Sequence, residues 1–209
     1  MLWVFDMDNT VYGPTHLIEQ TVVQRMKIVL SKLVTIEEGS YASLKETLKK
    51  KHGTDETILA FALEFHLPYE DLIRQTYLAS SFSIFALGLR KGASIIPTLP
   101  GEKCILTNSP RIFAHEMLSF LDVAHWFQSL YANGPETPIK KPDAPAYRSI
   151  KHTGQVVMID DSEKNLIVPK QLGWTTVWFP EQPQSSPAPE HIDHTIEDLA
   201  SLCDLVDRQ

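Results

Sequence analysis

The chain has 209 residues, and its 26 acidic side chains exceed its 19 basic ones, so that the formal net charge is −7. This balance argues against binding polymeric nucleic acid or an anionic membrane, because both favour a basic surface, whereas a small phosphorylated ligand needs only a local cation or two. The sequence has no apolar run long enough to span a bilayer and no secretion-signal pattern. The two cysteines, Cys104 and Cys203, fit neither a disulfide framework nor a metal-binding spacing. We therefore expect a reduced, cytoplasmic protein.

The first predicted element is the apolar run Leu2-Trp3-Val4-Phe5, which stops at Asp6-Met7-Asp8-Asn9. A short apolar run that ends in acids is typical of a buried central strand with polar groups at its carboxyl end. Gly13-Pro14 then breaks the chain.

The next region, up to about residue 83, has the pattern of helices and no convincing strand. Its first apolar positions are three or four residues apart, which places them on one face of a helix: Ile18, Val22, Met26, Val29 and Leu33. Capping residues and turn signals predict four helices in all, which run from Thr15 to Leu33, from Tyr41 to Lys50, from Thr54 to Phe65 and from Pro68 to about Ser80.

From about residue 84 the pattern alternates between helices and strands, which predicts a parallel sheet with helices on both faces. The predicted helices are Phe85–Ile95, Arg111–Leu121, Asp143–His152, Glu163–Leu172 and Ile196–Cys203. The predicted strands are Lys103–Thr107, Ser129–Ala132, Val156–Asp160, Thr175–Phe179 and a weak one near His194.

These elements predict a Rossmann-like α/β core of residues 1–13 and 84–209, interrupted by an all-helical insertion of residues 14–83. An insertion directly after the first strand is expected to lie over the carboxyl ends of the strands. Open α/β sheets bind their ligands at that edge.

The pair Asp6 and Asp8 is the first of four polar clusters that follow strands or precede helices. Two carboxylates this close repel each other unless a cation or a proton lies between them. Mg²⁺ prefers such oxygen ligands and bridges to phosphate. One acid can attack phosphorus while the other donates a proton, although a turn or helix cap also accounts for this motif taken alone.

The other three clusters are Thr107-Asn108-Ser109, Lys140-Lys141-Pro142 and Asp160-Asp161-Ser162. Each has an ordinary structural interpretation, as a helix cap or as a solvated pair of lysines. Together they supply hydroxyls and amides for phosphate oxygens, a cation, and metal-binding carboxylates at one edge of one sheet. This combination is what phosphoryl transfer requires.

The four clusters occur in the order of the four motifs of the haloacid dehalogenase superfamily of phosphatases, which the sequence therefore resembles over residues 2 to about 179. The matching residues are Asp6-x-Asp8-x-Thr10, Thr107-Asn108, Lys141-Pro142 and Asp160-Asp161. The resemblance implies an α/β core with a helical cap, a bound Mg²⁺ and a small phosphorylated metabolite as substrate.

The resemblance also assigns roles to individual residues. Asp6 matches the nucleophile, and Asp8 matches the general acid/base that also offers its backbone carbonyl to Mg²⁺. Lys141, directly before Pro142, matches the lysine of the third motif. The remaining matches are Thr107 and Asn108 with the phosphate-binding motif, Asp161 with a direct metal ligand, and Asp160 with an acid of the outer coordination sphere.

A finer match points to one branch of the superfamily. Two segments are similar to the pyrimidine 5′-nucleotidase-like branch: Phe5-Asp6-Met7-Asp8-Asn9-Thr10-Val11-Tyr12 and Lys141-Pro142-Asp143-Ala144-Pro145-Ala146-Tyr147. Tyr12, Tyr41 and Phe82 are then candidates for stacking on a base, although core packing is the commoner role of an aromatic side chain.

Several alternatives stay open at this point. A sugar-phosphate phosphatase or mutase would share all four clusters, and a catalytically silent binding protein would keep the same core. Dehalogenases of the superfamily work without metal and lack the second acid, so the presence of Asp8 favours phosphate transfer. Response-regulator receivers have their acidic pair and phosphorylated Asp in the opposite order. The oligomeric state cannot be predicted from the sequence.

Overall fold

The computed structural model describes residues 1–36, 39–54, 56–77, 87–136, 139–184 and 186–206. The chain forms two compact units, one of Met1–Thr15 with Ala86–Gln209 and one of His16–Phe85. The core boundary expected at residues 83–84 lies outside the described residues. No helix in the described ranges is both long enough and apolar enough to cross a lipid bilayer.

The first unit is built on a six-stranded sheet in which every neighbouring pair of strands is parallel. The strands are β1 (Leu2–Phe5), β4 (Glu102–Pro110), β5 (Ser129–Asn133), β6 (Val156–Asp160), β7 (Thr175–Trp178) and β8 (His194–Thr195). Their order in the sheet is β5-β4-β1-β6-β7-β8. This sheet confirms the predicted parallel α/β core.

Strand β1 lies at the centre because it is apolar throughout and is flanked by two other buried strands. Val4 and Phe5 have no exposed surface, and burying a side chain of this size contributes about 1.5–3 kcal/mol. In β4 and β6 the residues that pair with Phe5 are Ile105 and Ile159. Strands buried on both faces have such continuous apolar runs, which explains why the sequence pattern located them.

The helices of the first unit are short. They are α5 (Arg111–Phe120), α6 (Ala144–Arg148), α7 (Ile167–Gln171) and α8 (Cys203–Val206), with 3₁₀ helices at Ala93–Thr98, Ala124–Trp126, Glu163–Leu166 and Leu199–Leu202. The helix predicted over Glu163–Leu172 is thus a 3₁₀ turn followed by α7. The helices predicted over Asp143–His152 and Ile196–Cys203 are likewise shorter or partly 3₁₀.

A second, two-stranded sheet joins the segment after β1 to the segment before β4. Strand β2 (Tyr12–Gly13) pairs antiparallel with β3 (Gly88–Leu89). The backbone N–H of Arg90 continues this pairing by donating to the Val11 carbonyl at 2.9 Å. The polypeptide therefore leaves the first unit and returns to it at adjacent points.

The prediction of a helix over Phe85–Ile95 is wrong for the residues of that range that the structure describes. They include β3 and the start of a 3₁₀ helix. Gly92 interrupts any helix there, because its φ of 76° lies in the left-handed region. A Cβ at Gly92 would come within 1.9 Å of Asp198 Oδ1. The close approach of a distant segment, which local periodicity does not report, therefore determines this conformation.

The second unit contains only helices among its described residues. They are α1 (His16–Leu33), α2 (Tyr41–His52), α3 (Thr57–Phe65) and α4 (Tyr69–Thr76). The Tyr41 and Phe61 rings stack with centroids 5.9 Å apart, which joins α2 to α3. The predicted helices occur here with changed ends, and the last residues of the fourth, near Ser80, lie outside the described residues.

The two cysteines provide a test of this packing. Cys104 is 2% exposed in β4, and burial, followed by the nearby Glu102, raises the pKa of its thiol to about 12. Only the thiolate reacts with alkylating reagents. We therefore expect iodoacetamide to modify the half-buried Cys203 of the native protein and to spare Cys104, as read by peptide mass spectrometry. In concentrated guanidinium chloride both should react, and equal labelling of the native protein would contradict the buried position of Cys104.

Candidate active site

Asp6 and Asp160 lie side by side because of the strand register. Phe5 of β1 pairs with Ile159 of β6, so the residues that follow them meet at the carboxyl edge of the sheet. The Asp6 backbone N–H donates to the Ile159 carbonyl at 2.9 Å, which continues the ladder to this point. Asp6 is 6% exposed and Asp160 is fully buried.

Lys141 lies between these two acids. Its Nζ is 2.5 Å from Asp6 Oδ1 and 2.7 Å from Asp160 Oδ2. Burial alone would lower the pKa of this ammonium, but the two carboxylates reverse that effect and hold the pKa above its ordinary value. The neighbouring Lys140 faces Asp143 instead, at 3.7 Å, with a half-exposed side chain. Of the two adjacent lysines, the structure therefore brings Lys141 to the site.

Asn108 holds the backbone of Lys141. Its Oδ1 accepts from the Lys141 backbone N–H at 2.6 Å, and its Nδ2 donates to the Lys141 carbonyl at 3.0 Å. The side-chain amide thus occupies the same two groups that a neighbouring strand would pair with. The resemblance implies a phosphate contact for Asn108, whereas the hydrogen bonds of its side chain go to the residue that carries the cation.

Asp161 completes a cluster of three acids with Asp6 and Asp160. One carboxylate oxygen from each lies within 4.8 Å of the other two. Lys141 is ion-paired with two of these carboxylates, Asp6 and Asp160, so the acids carry more negative charge than this ammonium offsets, and a divalent cation would supply further positive charge. Carboxylate oxygens are the ligands that Mg²⁺ prefers, so the residues present fit that ion.

The pKa values of this cluster follow from its burial and crowding. Burial is the largest cause that raises the pKa of Asp6; Lys141 opposes it, and the neighbouring acids raise it further. Burial and then Asp160 raise the pKa of Asp161 to about 6, with Lys141 again opposing. Both carboxylates therefore hold their charge less readily than an ordinary aspartate does. A cation bound among them would favour the charged forms.

Asp160 is held in place by protein groups. Its Oδ1 accepts from the Ser162 backbone N–H and from Asn165 Nδ2, both at 2.9 Å, while its Oδ2 receives Lys141. A carboxylate with this many donors is fixed in orientation and is less available as a direct ligand. This agrees with an outer-sphere role for Asp160, which stays a prediction.

Asp8 lies outside the acidic cluster and has a different environment. Ser109 Oγ donates to its Oδ2 at 2.7 Å, Thr107 Oγ1 donates to the same oxygen at 3.3 Å, and the Tyr12 hydroxyl donates to its Oδ1. Burial raises the pKa of Asp8, and the hydrogen bonds from Tyr12 and Ser109 offset part of that rise. A carboxyl group with a raised pKa is suited to carrying a proton.

The side chains of Thr107 and Tyr12 have surroundings in the protein that the sequence did not predict. Thr107 Oγ1 accepts from the Ser109 backbone N–H at 3.0 Å besides donating to Asp8, so its contact with phosphate stays a prediction. Tyr12 has no exposed surface and offers no face for a base to stack on. Of the other aromatic candidates, Tyr41 packs on Phe61, and Phe82 lies outside the described residues.

Four side chains contact the acids in a way that sequence reasoning did not predict, although it had named Tyr12 as a candidate for stacking on a base. Thr10 Oγ1 donates to Asp6 Oδ2 at 3.2 Å, and Asn165, Ser109 and Tyr12 make the contacts described above. Thr10 and Tyr12 each follow their acid by four residues, and Asn165 follows Asp160 by five, so a search for polar side chains one turn away could have found them. Ser109 belongs to a motif that the sequence did single out.

The contact between Asn108 and Lys141 can be tested by stability. We expect Asn108→Ala to lower the free energy of unfolding by about 1–2 kcal/mol, since two hydrogen bonds to the backbone are lost. Urea unfolding would measure it. Gln184→Ala is the matched control, because Gln184 Nε2 donates to the nearby Gln182 carbonyl on the surface, and it should change stability by less than about 0.5 kcal/mol. Equal effects from the two variants would contradict the role of Asn108.

Comparison with solved structures finds close matches of fold along nearly the whole chain. YfnB from Bacillus subtilis, described as an HAD hydrolase and bound to magnesium, has a TM-score of 0.60 and 15% identity over 99% of this chain and 98% of its own. A predicted phosphoglycolate phosphatase from Haemophilus somnus gives 0.63 and 14% over 98% and 97%.

The L-2-haloacid dehalogenase of Xanthobacter autotrophicus gives a TM-score of 0.61 and 14% identity over 99% of this chain and 98% of its own. No family model and no curated relative matches the sequence. At this level of identity the likeness is one of fold. The chain therefore has the haloacid dehalogenase-like fold, which phosphatases and dehalogenases share.

Proposed function

We propose that the protein is a Mg²⁺-dependent phosphomonoester hydrolase that works through an aspartyl phosphate on Asp6. One observation carries this proposal: two acids only two residues apart have opposite environments. Asp6 lies against the Lys141 ammonium in the acidic cluster, whereas Asp8 lies outside that cluster among hydroxyl groups. Acids whose surroundings differ in this way are suited to separate roles in one reaction.

In the first step a carboxylate oxygen of Asp6 attacks phosphorus, and the bond from phosphorus to the leaving oxygen breaks. Asp8 gives its proton to that oxygen, which leaves as an alcohol. Thr10 and Lys141 each hold one oxygen of Asp6. The nucleophile is thus oriented before the substrate arrives.

In the second step water attacks the phosphorus of the aspartyl phosphate, the bond from phosphorus to the Asp6 oxygen breaks, and Asp8, now ionised, takes a proton from that water. This restores Asp6 and releases inorganic phosphate. The same carboxyl group thus serves first as acid and then as base.

Lys141, Thr107 and Asn108 are proposed to contact the remaining phosphoryl oxygens, Asn108 through its backbone, since its side chain is engaged with Lys141. Asp6, the Asp8 carbonyl and Asp161 would hold Mg²⁺, with Asp160 behind them. When bound, this cation supplies positive charge that offsets the repulsion between an anionic phosphate and an anionic nucleophile.

The proposed substrate is a small phosphorylated metabolite, and the motif match around Tyr12 and Lys141 favours a pyrimidine nucleoside 5′-monophosphate. We propose that the helical unit acts as a cap and supplies the side chains that select the leaving group. A sugar-phosphate phosphatase or mutase would use the same core residues. The presence of Asp8 favours these reactions over dehalogenation, since a displaced halide needs no proton.

Asp6→Asn tests the nucleophile. The amide is nearly isosteric with the carboxylate but is a poor nucleophile, so we expect phosphate release to fall by at least about 10³-fold, or about 4 kcal/mol of barrier. Release is measured for the best substrate, with circular dichroism to verify the fold. Asp204→Asn, at an exposed position, is the control and should leave the rate unchanged. Activity near that of the wild type in Asp6→Asn would refute the mechanism.

A substrate panel tests the class of reaction and the branch. Phosphate release is followed with Mg²⁺ and with EDTA across nucleoside monophosphates and sugar phosphates, with Asp6→Asn as the blank. We expect release that depends on Mg²⁺ and is fastest with UMP or CMP, because the motifs resemble those of pyrimidine nucleotidases. Turnover confined to sugar phosphates would reject the nucleotide substrate, and no release that depends on Mg²⁺ would reject the phosphatase.

A further inference from the structure

Three hydroxyl groups contact the Asp8 carboxyl, that of Tyr12 at Oδ1 and those of Ser109 and Thr107 at Oδ2. The Tyr12 hydroxyl donates to Oδ1, and Ser109 Oγ donates to Oδ2 at 2.7 Å. We propose that Tyr12 and Ser109 are positioning residues that hold Asp8 in line with the leaving oxygen of the substrate. This inference rests on the proposed function, because it concerns the proton that Asp8 gives to that oxygen.

The two donors come from separate segments, each anchored by its own contacts. Tyr12 belongs to β2 and is paired with Leu89 of β3, and its side chain has no exposed surface. Ser109 lies in β4, where its backbone N–H donates to Thr107 Oγ1 at 3.0 Å. Since the donors reach the two carboxylate oxygens from different segments, together they restrict rotation of the carboxyl group about its own axis.

The chemical type of the donors distinguishes Asp8 from Asp6. Within the described part of the chain Asp8 forms no ion pair, whereas Asp6 is paired with Lys141. An ammonium can only donate, so it holds an ionised carboxylate. A hydroxyl can donate to a carboxylate and can also accept from a carboxylic acid, so it can hold either form. Hydroxyl partners therefore keep Asp8 in place both before and after it gives up its proton.

The rate of proton transfer depends on where the Asp8 carboxyl group lies relative to the leaving oxygen. A general acid must come within about 2.6–3.2 Å of the atom that it protonates. A displacement of about 1 Å can reduce the rate by about 10²-fold. Tyr12→Phe removes the hydroxyl donor to Oδ1, and Ser109→Ala leaves to Oδ2 the longer contact from Thr107 at 3.3 Å. Because each change loosens one oxygen of Asp8, we expect an intermediate loss of about 10-fold in the step that uses the proton.

The test compares two esters that differ in their need for that proton. Phenyl phosphate and p-nitrophenyl phosphate are similar in size, but nitrophenolate is a stable anion and leaves without protonation. With Tyr12→Phe and, separately, Ser109→Ala, we expect kcat/KM for phenyl phosphate to fall by about 10-fold. For p-nitrophenyl phosphate we expect a fall of less than about 2-fold, because that ester uses the acid little.

Tyr147→Phe is the matched control for Tyr12→Phe. Tyr147 is also fully buried, and its hydroxyl donates to the Asn165 carbonyl at 2.7 Å, so the variant removes a buried hydroxyl without touching Asp8. It should change kcat/KM for both esters by the same factor. In an Asp8→Asn background, Tyr12→Phe should no longer affect the two esters differently, since the group that it positions has gone.

The outcomes separate this inference from the proposed function. If the wild type hydrolyses the esters but both Tyr12→Phe and Ser109→Ala lower the two kcat/KM values equally, the positioning role is refuted and the phosphatase stands. If the wild type with Mg²⁺ hydrolyses neither these esters nor any compound of the panel, both proposals fail. Selective loss with phenyl phosphate in either variant, absent in Tyr147→Phe, supports the inference.

Discussion

The buried ammonium of Lys141 is the interaction on which the rest of the site depends. Asp6 and Asp160 meet at the carboxyl edge of the sheet because their strands are in register. Both side chains are buried, and two neighbouring buried carboxylates would repel each other strongly without a cation. Lys141 contacts both. Removing one member of such a buried group leaves an uncompensated charge, which typically costs about 3–5 kcal/mol. The pairing of Asn108 with the Lys141 backbone links this cation to β4 as well.

Asp6 and Asp8 are only two residues apart, but their side chains contact different partners at the carboxyl edge of the sheet. Asp6 continues the direction of β1 and reaches the cation, whereas Asp8 is turned towards the end of β4 and its hydroxyls. The hydrogen-bond partners of Asp6 thus include an ammonium, whereas those of Asp8 are neutral hydroxyls. This difference in surroundings suits the two acids to the separate roles proposed for them, nucleophile and proton carrier.

The sequence predicted the parallel core because its strands are short apolar runs that end abruptly in polar residues, such as Val156–Asp160. It also selected the acids and the lysine that meet at the sheet edge, because a residue that directly follows a strand has little freedom of position. The helix predicted over Phe85–Ile95 failed for the opposite reason. The strand Gly88–Leu89 and the turn at Gly92 depend on Tyr12, Gly13 and Asp198, which lie far away in the chain.

Residue spacing likewise could not predict the hydrogen-bond partners of individual side chains. The match to a phosphate-binding motif placed Asn108 near the site, but only the structure shows that its amide is engaged by Lys141. Tyr12 was a candidate for stacking on a base, and its hydroxyl instead contacts Asp8. A hydrogen bond depends on fractions of an ångström between segments that the sequence pattern does not relate. The pattern therefore predicts which strand ends meet, and not which atoms do.

The balance of charge at the site helps to distinguish an enzyme from a catalytically silent binding protein with the same core. Asp6 and Asp160 share Lys141, Asp161 lies beside them, and burial raises the pKa values of Asp6 and Asp161. Buried carboxylates that lack sufficient positive charge reduce the stability of a fold. A protein that only kept the scaffold for binding elsewhere would gain stability by replacing one of them. The presence of these acids beside Lys141 fits a ligand that supplies further positive charge, which is what the proposed Mg²⁺-dependent phosphatase would bind.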